Sequence, residues 1–189
     1  MKIMPGGLLF TIILFAGIYC IIVLLAYWFQ DKLTYIPGRA GRDQAEWYGL
    51  QPWPDAIDFH GYRSKSELDA ADGTILIWHG NAGTALDRGY YINALEARDF
   101  RVLLVEFPGY GDRDGAFSEK SFVDDAMIAT EKAIKQFKGP FILWGESMGC
   151  AVASKVALHG RERTSNDLYT GCAARRKWSD HTCRCGRLC

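Results

Sequence analysis

The stretch Phe141-Ile-Leu-Trp-Gly-Glu-Ser-Met-Gly149 decides how this chain folds. Its first four residues are apolar and predict a buried strand, and the small and apolar residues from Met148 to about His159 predict a helix. A Gly-x-Ser-x-Gly turn therefore joins the strand directly to the helix. A nucleophile elbow needs this context, because the turn must hold a strained serine with its hydroxyl at the carboxyl end of the strand.

The two glycines of the turn have a steric purpose in this prediction. Side chains at Gly145 or Gly149 would collide with neighbouring backbone, and glycine removes the clash. Ser147 is then the predicted nucleophile, with the helix N-terminus behind it to favour developing negative charge. The alternative is a chance occurrence of the motif in a chain with 20 glycines, and the strand-turn-helix context argues against chance.

The chain before this turn alternates strands and helices. Apolar runs predict strands at Thr74–Trp78 and Arg101–Glu106, and a helical stretch between them runs to about Ala97. A second helix precedes the turn, with apolar residues recurring at helical spacing on one face at Phe122, Ala126, Ala129, Ala133 and Phe137. This alternation predicts an α/β fold, in which helices cover both faces of a parallel sheet.

A second candidate element of the site, His79-Gly-Asn-Ala-Gly83, closes the first of these strands. An oxyanion-hole donor is needed at this place, and we assign the hole to the backbone N–H groups of Asn81 and Met148. Gly80 supports the loop. His79 precedes the nucleophile in the chain, which favours a role in bracing the loop by hydrogen bonding over a role as the catalytic base.

Two more side chains near these motifs have competing interpretations. Glu146, next to the nucleophile, is interpreted as a packing or loop-bonding residue rather than a catalytic acid. Tyr110 either lines the mouth of a pocket or is an exposed loop tyrosine, and exposure is the expectation.

Three motifs in one order give the chain a resemblance to a known group of proteins. HGNAG, PGYG and GESMG stand here at His79–Gly83, Pro108–Gly111 and Gly145–Gly149. From residue 74 to about residue 159 the chain resembles the α/β-hydrolase superfamily, and most of all its membrane-anchored proteins of the bud-emergence-like and abhydrolase-domain type. The Asp31–Pro37 segment resembles the same group.

The resemblance implies a partial α/β-hydrolase fold and a serine hydrolase. In that family the serine attacks an ester, thioester or amide carbonyl to form an acyl-enzyme, and the triad Asp and His follow later in the chain. The implied partner is a small-molecule or lipid/acyl substrate, and no cofactor is implied. The competing hypothesis is a catalytically silent hydrolase-fold protein that binds a partner or an acyl ligand at the membrane.

The N-terminal segment predicts a single membrane-spanning helix. No charged residue lies between Ile3 and Gln30. The apolar stretch from Gly6 to Phe29 would form a helix of about 36 Å, longer than a hydrocarbon core of about 30 Å. Tyr27 and Trp28 at its end fit the headgroup region. A cleaved signal peptide is the competing hypothesis, disfavoured by the length of the run. The positive charges that follow the helix favour a cytoplasmic body.

Composition narrows the possible partners and cofactors. Lys plus Arg and Asp plus Glu are both 22, so the chain has no basic field that would attract nucleic acid. Four of the six cysteines follow Gly171, without the Cys-x-x-Cys spacing of a zinc site, so no metal site is predicted. A nucleotide-binding domain is disfavoured, because neither a Gly-x-Gly-x-x-Gly nor a Gly-Lys-Ser/Thr loop follows a strand.

The hydrolase pattern stops after Gly160. The following residues are rich in Arg, Lys and Cys and poor in large aliphatics, so they predict no strand and carry no recognisable triad Asp or His. His159 would lie about 18 Å along the helix from Ser147, out of reach, and the surroundings of His181 do not favour it as a base. The abrupt shift resembles a change of reading frame, or an assembly error, that truncates the hydrolase pattern of a longer gene, and a genuine short tail is the alternative.

The expected organisation has four parts. Residues 1–30 are the transmembrane anchor, 31–73 a linker with edge strands, 74–160 the N-terminal part of the hydrolase domain, and 161–189 an aberrant or disordered tail. The activity of this chain depends on whether a base reaches the serine.

Overall fold

The computed structural model describes residues 6–66, 68, 70–160 and 168–173. A long N-terminal helix precedes an α/β body. The helices are α1 (Gly6–Thr34), α2 (Tyr90–Glu96), α3 (Glu119–Gln136) and α4 (Met148–Gly160), with short 3-10 helices at Arg42–Tyr48 and Leu86–Arg88. The strands are β1 (Ile36–Pro37), β2 (Leu50–Pro54), β3 (Phe59–Ser64), β4 (Gly73–Trp78), β5 (Ala82–Gly83), β6 (Phe100–Val105), β7 (Phe141–Glu146) and β8 (Leu168–Ala173).

The described part of the chain forms two sheets. The larger has the strand order β2-β3-β6-β4-β7-β8, in which β2, β3 and β6 pair antiparallel and β6, β4, β7 and β8 pair parallel. The smaller is the two-residue parallel pair β1-β5. The predicted strands are found within a residue or two of the expected bounds, so the α/β prediction is confirmed.

The sheet is buried on both faces. Along β4, Leu76 and Trp78 belong to one cluster of buried side chains, whereas Ile75 and Ile77 belong to the other, because alternate residues of a strand point to opposite faces. The first cluster is completed by α3 and α4, and the second by α2 and the segment that precedes it. Helices therefore cover both faces, as a largely parallel sheet requires.

Helix α3 packs closely on the core because the buried side of the helix carries small side chains. Ala126, Ala129 and Ala133 are fully buried on the side that faces the core. The Ser118 side chain caps the helix by accepting a hydrogen bond of 3.1 Å from the backbone N–H of Ser121. The helix ends at Gln136, and the backbone of the next residue, Phe137, is extended.

The expectation that no strand follows Gly160 is wrong. Strand β8 pairs parallel with β7 over its whole length, from Leu168 opposite Phe141 to Ala173 opposite Glu146. Parallel pairing uses backbone hydrogen bonds, so it does not need a run of large aliphatic residues. Leu168, Tyr169 and Thr170 supply enough β propensity to start such a strand. Residues 161–167 and 174–189 of the expected tail lie outside the described residues.

Helix α1 does not pack on the body. Its apolar stretch has a mean hydropathy of 3.0 and is 0% buried, and it is the one helix among the described residues that is long and apolar enough to cross a membrane. Twenty-nine residues make a helix of about 44 Å, more than a hydrocarbon core of about 30 Å. An isolated helix of this composition would expose its whole apolar surface to water, so we expect it to lie in a bilayer.

We predict that the full chain stays in the membrane pellet after an alkaline carbonate wash. Replacing both Leu14 and Ile18 by Arg should shift it toward the supernatant, because each Arg near the centre of a membrane helix costs roughly 2.5–3.5 kcal/mol. The matched control is Leu33→Arg near the end of the helix, where the side chain reaches the headgroups and the protein should remain pelleted. Immunoblots of both fractions measure the outcome, and release of uncleaved parent protein would contradict the anchor.

Candidate active site

One residue, Ser147, connects β7 to α4, and its backbone is strained. Its φ is 51°, in the left-handed region that residues other than glycine seldom adopt, and its side chain is exposed. The N–H of Cys150 donates a hydrogen bond of 3.0 Å to the Ser147 carbonyl, which tightens the first turn of the helix. The strand-turn-helix arrangement expected from the sequence is therefore present, with the serine at the carboxyl end of β7.

The glycines on both sides of Ser147 are required by close backbone contacts. A Cβ added at Gly145 would lie 2.3 Å from the backbone N of Cys150. A Cβ at Gly149 would lie 2.3 Å from the carbonyl oxygen of Trp78, at the end of β4. Real Cβ atoms do not come this close to backbone, so any side chain at either position would force the helix away from the sheet.

The His79–Gly83 loop lies directly against the serine. A Cβ added at Gly80 would be 3.5 Å from the Cβ of Ser147 and 3.5 Å from the carbonyl oxygen of Glu146. The backbone N–H of Met148 opens α4, where the first amides of a helix have no partner within the helix. The structure thus brings the loop of Asn81 and the start of α4 beside the hydroxyl-bearing residue.

His79 is buried and both of its ring nitrogens are engaged. Nδ1 lies 2.7 Å from the carbonyl oxygen of Gly80, and Nε2 lies 2.7 Å from Oε1 of Glu106. The other carboxylate oxygen of Glu106 accepts a hydrogen bond of 3.0 Å from the backbone N–H of Ala85. His79 and Glu106, which are 1% and 0% exposed, therefore link the start of the loop and the residue Ala85 beyond its end to the position that follows strand β6.

The side chain of Asn81 points toward the end of helix α1. Its Nδ2 donates a hydrogen bond of 2.6 Å to the carbonyl of Thr34, and its Oδ1 accepts one of 3.2 Å from the N–H of Ile36. The Tyr110 hydroxyl lies 2.8 Å from the same Oδ1. Tyr110 is fully buried, so the expectation of an exposed loop tyrosine is wrong, and burial raises its pKa to about 12.

Glu146 is linked to the loop through Arg88. Its carboxylate accepts hydrogen bonds of 2.9 Å from Nε of Arg88, 2.9 Å from the Tyr90 hydroxyl and 2.8 Å from the Tyr91 hydroxyl. Arg88 in turn lies 3.3 Å from the carbonyls of Ala82 and Thr84. Glu146 is thus a loop-bonding residue, and sequence reasoning missed Arg88 because no local pattern relates two residues that lie 58 positions apart.

Residues 69–178, more than half of the chain, match the serine aminopeptidase, S33 family. The chain belongs to this α/β-hydrolase family. It is similar to lysophosphatidylserine lipase ABHD12 of Danio rerio, 35% identical over 128 residues that cover 65% of this chain and 33% of the relative. It is also similar to α/β-hydrolase domain-containing protein WAV2 of Arabidopsis thaliana, 24% identical over 168 residues that cover 80% of this chain and 54% of the relative.

The chain spans between a third and about half of the length of these curated relatives. Among solved structures, it is similar to TT1662 from Thermus thermophilus, with a TM-score of 0.39 and 27% identity over 49% of this chain and 44% of that chain. The assignment to the hydrolase family rests on the sequence match.

Each of the three histidines within the described residues is bonded to a group other than Ser147. His60 is buried between Asp58 and Asp125, each 3.3 Å from one of its ring nitrogens. His79 is bonded as described above, and His159 lies 2.8 Å from the carbonyl of Lys155. The fourth histidine, His181, lies outside the described residues.

An apolar groove of about 190 Å³ lies between α3, α4 and Tyr35, the residue that follows α1. Its apolar walls come from Tyr35, Phe122, Val123, Met148, Ala151 and Val152, with Glu119 and Lys155 completing the lining. Met148 connects this groove to the turn that holds the serine.

We predict that Gly149→Ala destabilises the hydrolase body by roughly 1–3 kcal/mol or more, because the new methyl group overlaps the Trp78 carbonyl. Gly89→Ala is the matched control, since Gly89 has a φ of −52° and the atom nearest to its added Cβ, the carbonyl oxygen of Leu86, is 3.4 Å away. The midpoint of thermal unfolding in detergent, followed by near-UV circular dichroism, measures both variants. Equal midpoints would show that α4 can shift away from β4 at little cost.

We also predict a pH dependence that originates at Glu146. Burial alone would raise the pKa of its carboxyl, but the hydrogen bonds from Tyr91, Arg88 and Tyr90 outweigh burial and hold the pKa below its ordinary value of 4.5. The ionised carboxylate therefore stabilises the fold above about pH 4.5, and this stabilisation is lost as the pH falls through the lowered pKa.

The variant Glu146→Gln should accordingly lower the unfolding midpoint most at neutral pH, and the gap to the parent should close as the pH falls below 4.5. Glu46→Gln, which removes an exposed carboxylate 3.4 Å from Lys65, should leave the profile unchanged. Unfolding midpoints between about pH 3 and pH 7 test this linkage. A gap that stays constant with pH would contradict it.

Proposed function

We propose that the chain is a membrane-anchored serine hydrolase that cleaves an ester, thioester or amide through an acyl-enzyme on Ser147. The observation that carries the proposal is the strained, exposed Ser147 between β7 and α4, with glycines packed against backbone on both sides. Strain of this kind persists where the surrounding structure enforces it, and such places are enriched in functional sites. The hydrolase family match supports the same chemistry.

The geometry supports the following steps. The Ser147 hydroxyl attacks the substrate carbonyl while a base takes its proton, and the resulting oxyanion is held by the backbone N–H groups of Asn81 and Met148. The leaving group departs with a proton, which leaves the acyl group on the serine oxygen. Water then hydrolyses the acyl-enzyme. His79, Gly80, Gly145 and Gly149 support the loop and the turn that hold these groups in place.

A lipid or other acyl compound is the proposed substrate class. The groove of about 190 Å³ beside Met148 has mostly apolar walls and suits part of an acyl chain. The likeness to a lysophosphatidylserine lipase supports an acyl lipid. No cofactor enters the proposed reaction.

The proposed location is the membrane, through α1 as a single-pass anchor. Lys32, Arg39 and Arg42 follow the helix, and positive charges flanking a membrane helix favour the cytoplasmic side. We therefore place the body in the cytoplasm.

A catalytically silent hydrolase-fold protein is the second candidate. It is favoured by one observation, the bonding of all three described histidines to groups other than the serine. In the family pattern the triad His follows the elbow helix, so residues after Gly160 decide between the two candidates.

The deciding experiment is reaction with a fluorophosphonate probe, in which the serine oxygen bonds to phosphorus and fluoride leaves. We expect slow labelling of the 189-residue chain. A version translated in the reading frame that restores the family pattern after Gly160 should label several orders of magnitude faster, because a positioned imidazole takes the proton of the serine. In-gel fluorescence over time measures the rate.

Ser147→Ala must abolish the labelling, whereas Ser154→Ala, an exposed serine on the same helix, must leave it unchanged. Equal rates for the two versions would mean that a base lies within the present sequence, and His181 and His79 are then the first residues to replace. Absence of labelling in every version favours the silent binding protein.

A further inference from the structure

The segment that leaves the membrane helix is bonded to the loop that holds the proposed oxyanion donor. We call residues 34–38 the joint. The Thr34 carbonyl accepts from Nδ2 of Asn81 at 2.6 Å, and the Ile36 N–H donates to Oδ1 of the same side chain at 3.2 Å. Ile36 and Pro37 form β1, which pairs in parallel with Ala82 and Gly83 of β5. The joint therefore lies on the loop as an additional strand.

Backbone packing makes this contact close. A Cβ added at Gly38 would lie 2.7 Å from the carbonyl carbon and oxygen of Gly83. The carbonyl of Gly38 also accepts a hydrogen bond of 2.9 Å from the N–H of Gly111. The joint is thus held between the Asn81 loop and the loop that carries Tyr110.

No flexible linker separates the membrane helix from this contact. Tyr35 is the single residue between α1 and β1, and its N–H donates to the carbonyl of Asp31 at 2.9 Å, which continues the helical pattern. Its ring packs edge-on against Phe122, with centroids 5.2 Å apart. A joint that only tethered the body would need none of these contacts, since flexible polar linkers serve that purpose.

We propose that the joint contributes to the catalytic site and that Asn81 is a positioning residue. The side chain of Asn81 fixes the His79–Gly83 loop to the end of the membrane anchor. The proposal rests on the proposed function of this loop. The Asn81 backbone N–H can stabilise an oxyanion only if its direction is fixed before the reaction. The joint supplies that fixation, because both polar ends of the Asn81 side chain are bonded to it.

Two variants of the full chain in phosphatidylcholine nanodiscs test the proposal. Asn81→Asp keeps the shape of the side chain but places a carboxylate oxygen against the Thr34 carbonyl. Ile36→Pro removes the N–H that bonds to Asn81 and leaves the sequence of the loop unchanged. Asn93→Asp is the matched control, because it makes the same chemical change at an exposed position of α2.

The first measurement is hydrogen-deuterium exchange of the loop, which needs no enzymatic activity. We expect both joint variants to speed up exchange of the amides of residues 81–84 by at least about tenfold, because an opened loop loses its protection. The control should exchange like the parent. Unchanged exchange in Ile36→Pro, with the variant shown to be folded by its unfolding midpoint, would overturn the proposal.

The second measurement separates positioning from mere stability. With the fluorophosphonate probe, the limiting rate of labelling at Ser147 should fall about tenfold to a hundredfold in both variants, while the probe concentration for half-saturation stays constant. A loop that exchanges faster while the limiting rate is unchanged would also overturn the positioning role. If neither the parent nor the version restored after Gly160 labels, the proposed hydrolase function fails, and the exchange measurement alone decides the attachment of the loop to the joint.

Discussion

The contact between the backbone of Gly149 and the carbonyl of Trp78 is the constraint on which the rest of the site depends. It places the start of α4 on the end of β4, closer than any side chain at position 149 would permit. Because β4 continues into the His79–Gly83 loop, the same contact brings that loop against Ser147. A serine with a strained backbone, a helix N-terminus and a glycine-containing loop therefore meet at one edge of the sheet.

The loop next to Ser147 is held by three sets of contacts that differ in their chemistry. The buried pair of His79 and Glu106 links the loop to the end of β6. Arg88 bridges the backbone carbonyls of the loop and the carboxylate of Glu146. Asn81 bonds to the backbone at the end of α1. Preorganised N–H donors need such support, since their contribution to catalysis is lost if they must reorient during the reaction.

The sequence predicted the features that depend on neighbours along the chain. Strands β4, β6 and β7 and helices α3 and α4 follow from local apolar patterns, and the turn at Ser147 follows from its two glycines. Two partners of Asn81 lie 45 and 47 residues earlier, and Arg88, one partner of Glu146, lies 58 residues away, so no local pattern predicts these contacts. The burial of Tyr110 was missed for the same reason. Strand β8 was missed because its place is determined by the free edge of β7 more than by its own composition.

The short connection between α1 and β1 fixes the end of α1 on the body, whereas the rest of α1 can be exchanged. Helix α1 makes no buried contacts along its apolar stretch, so another apolar helix of similar length could replace residues N-terminal to Asp31. One residue inserted between Thr34 and Ile36 would shift the register of Ile36 against Ala82, and it would separate the two groups that bond to Asn81. A graft that exchanges the N-terminal helix therefore has to be spliced before the last turn of α1.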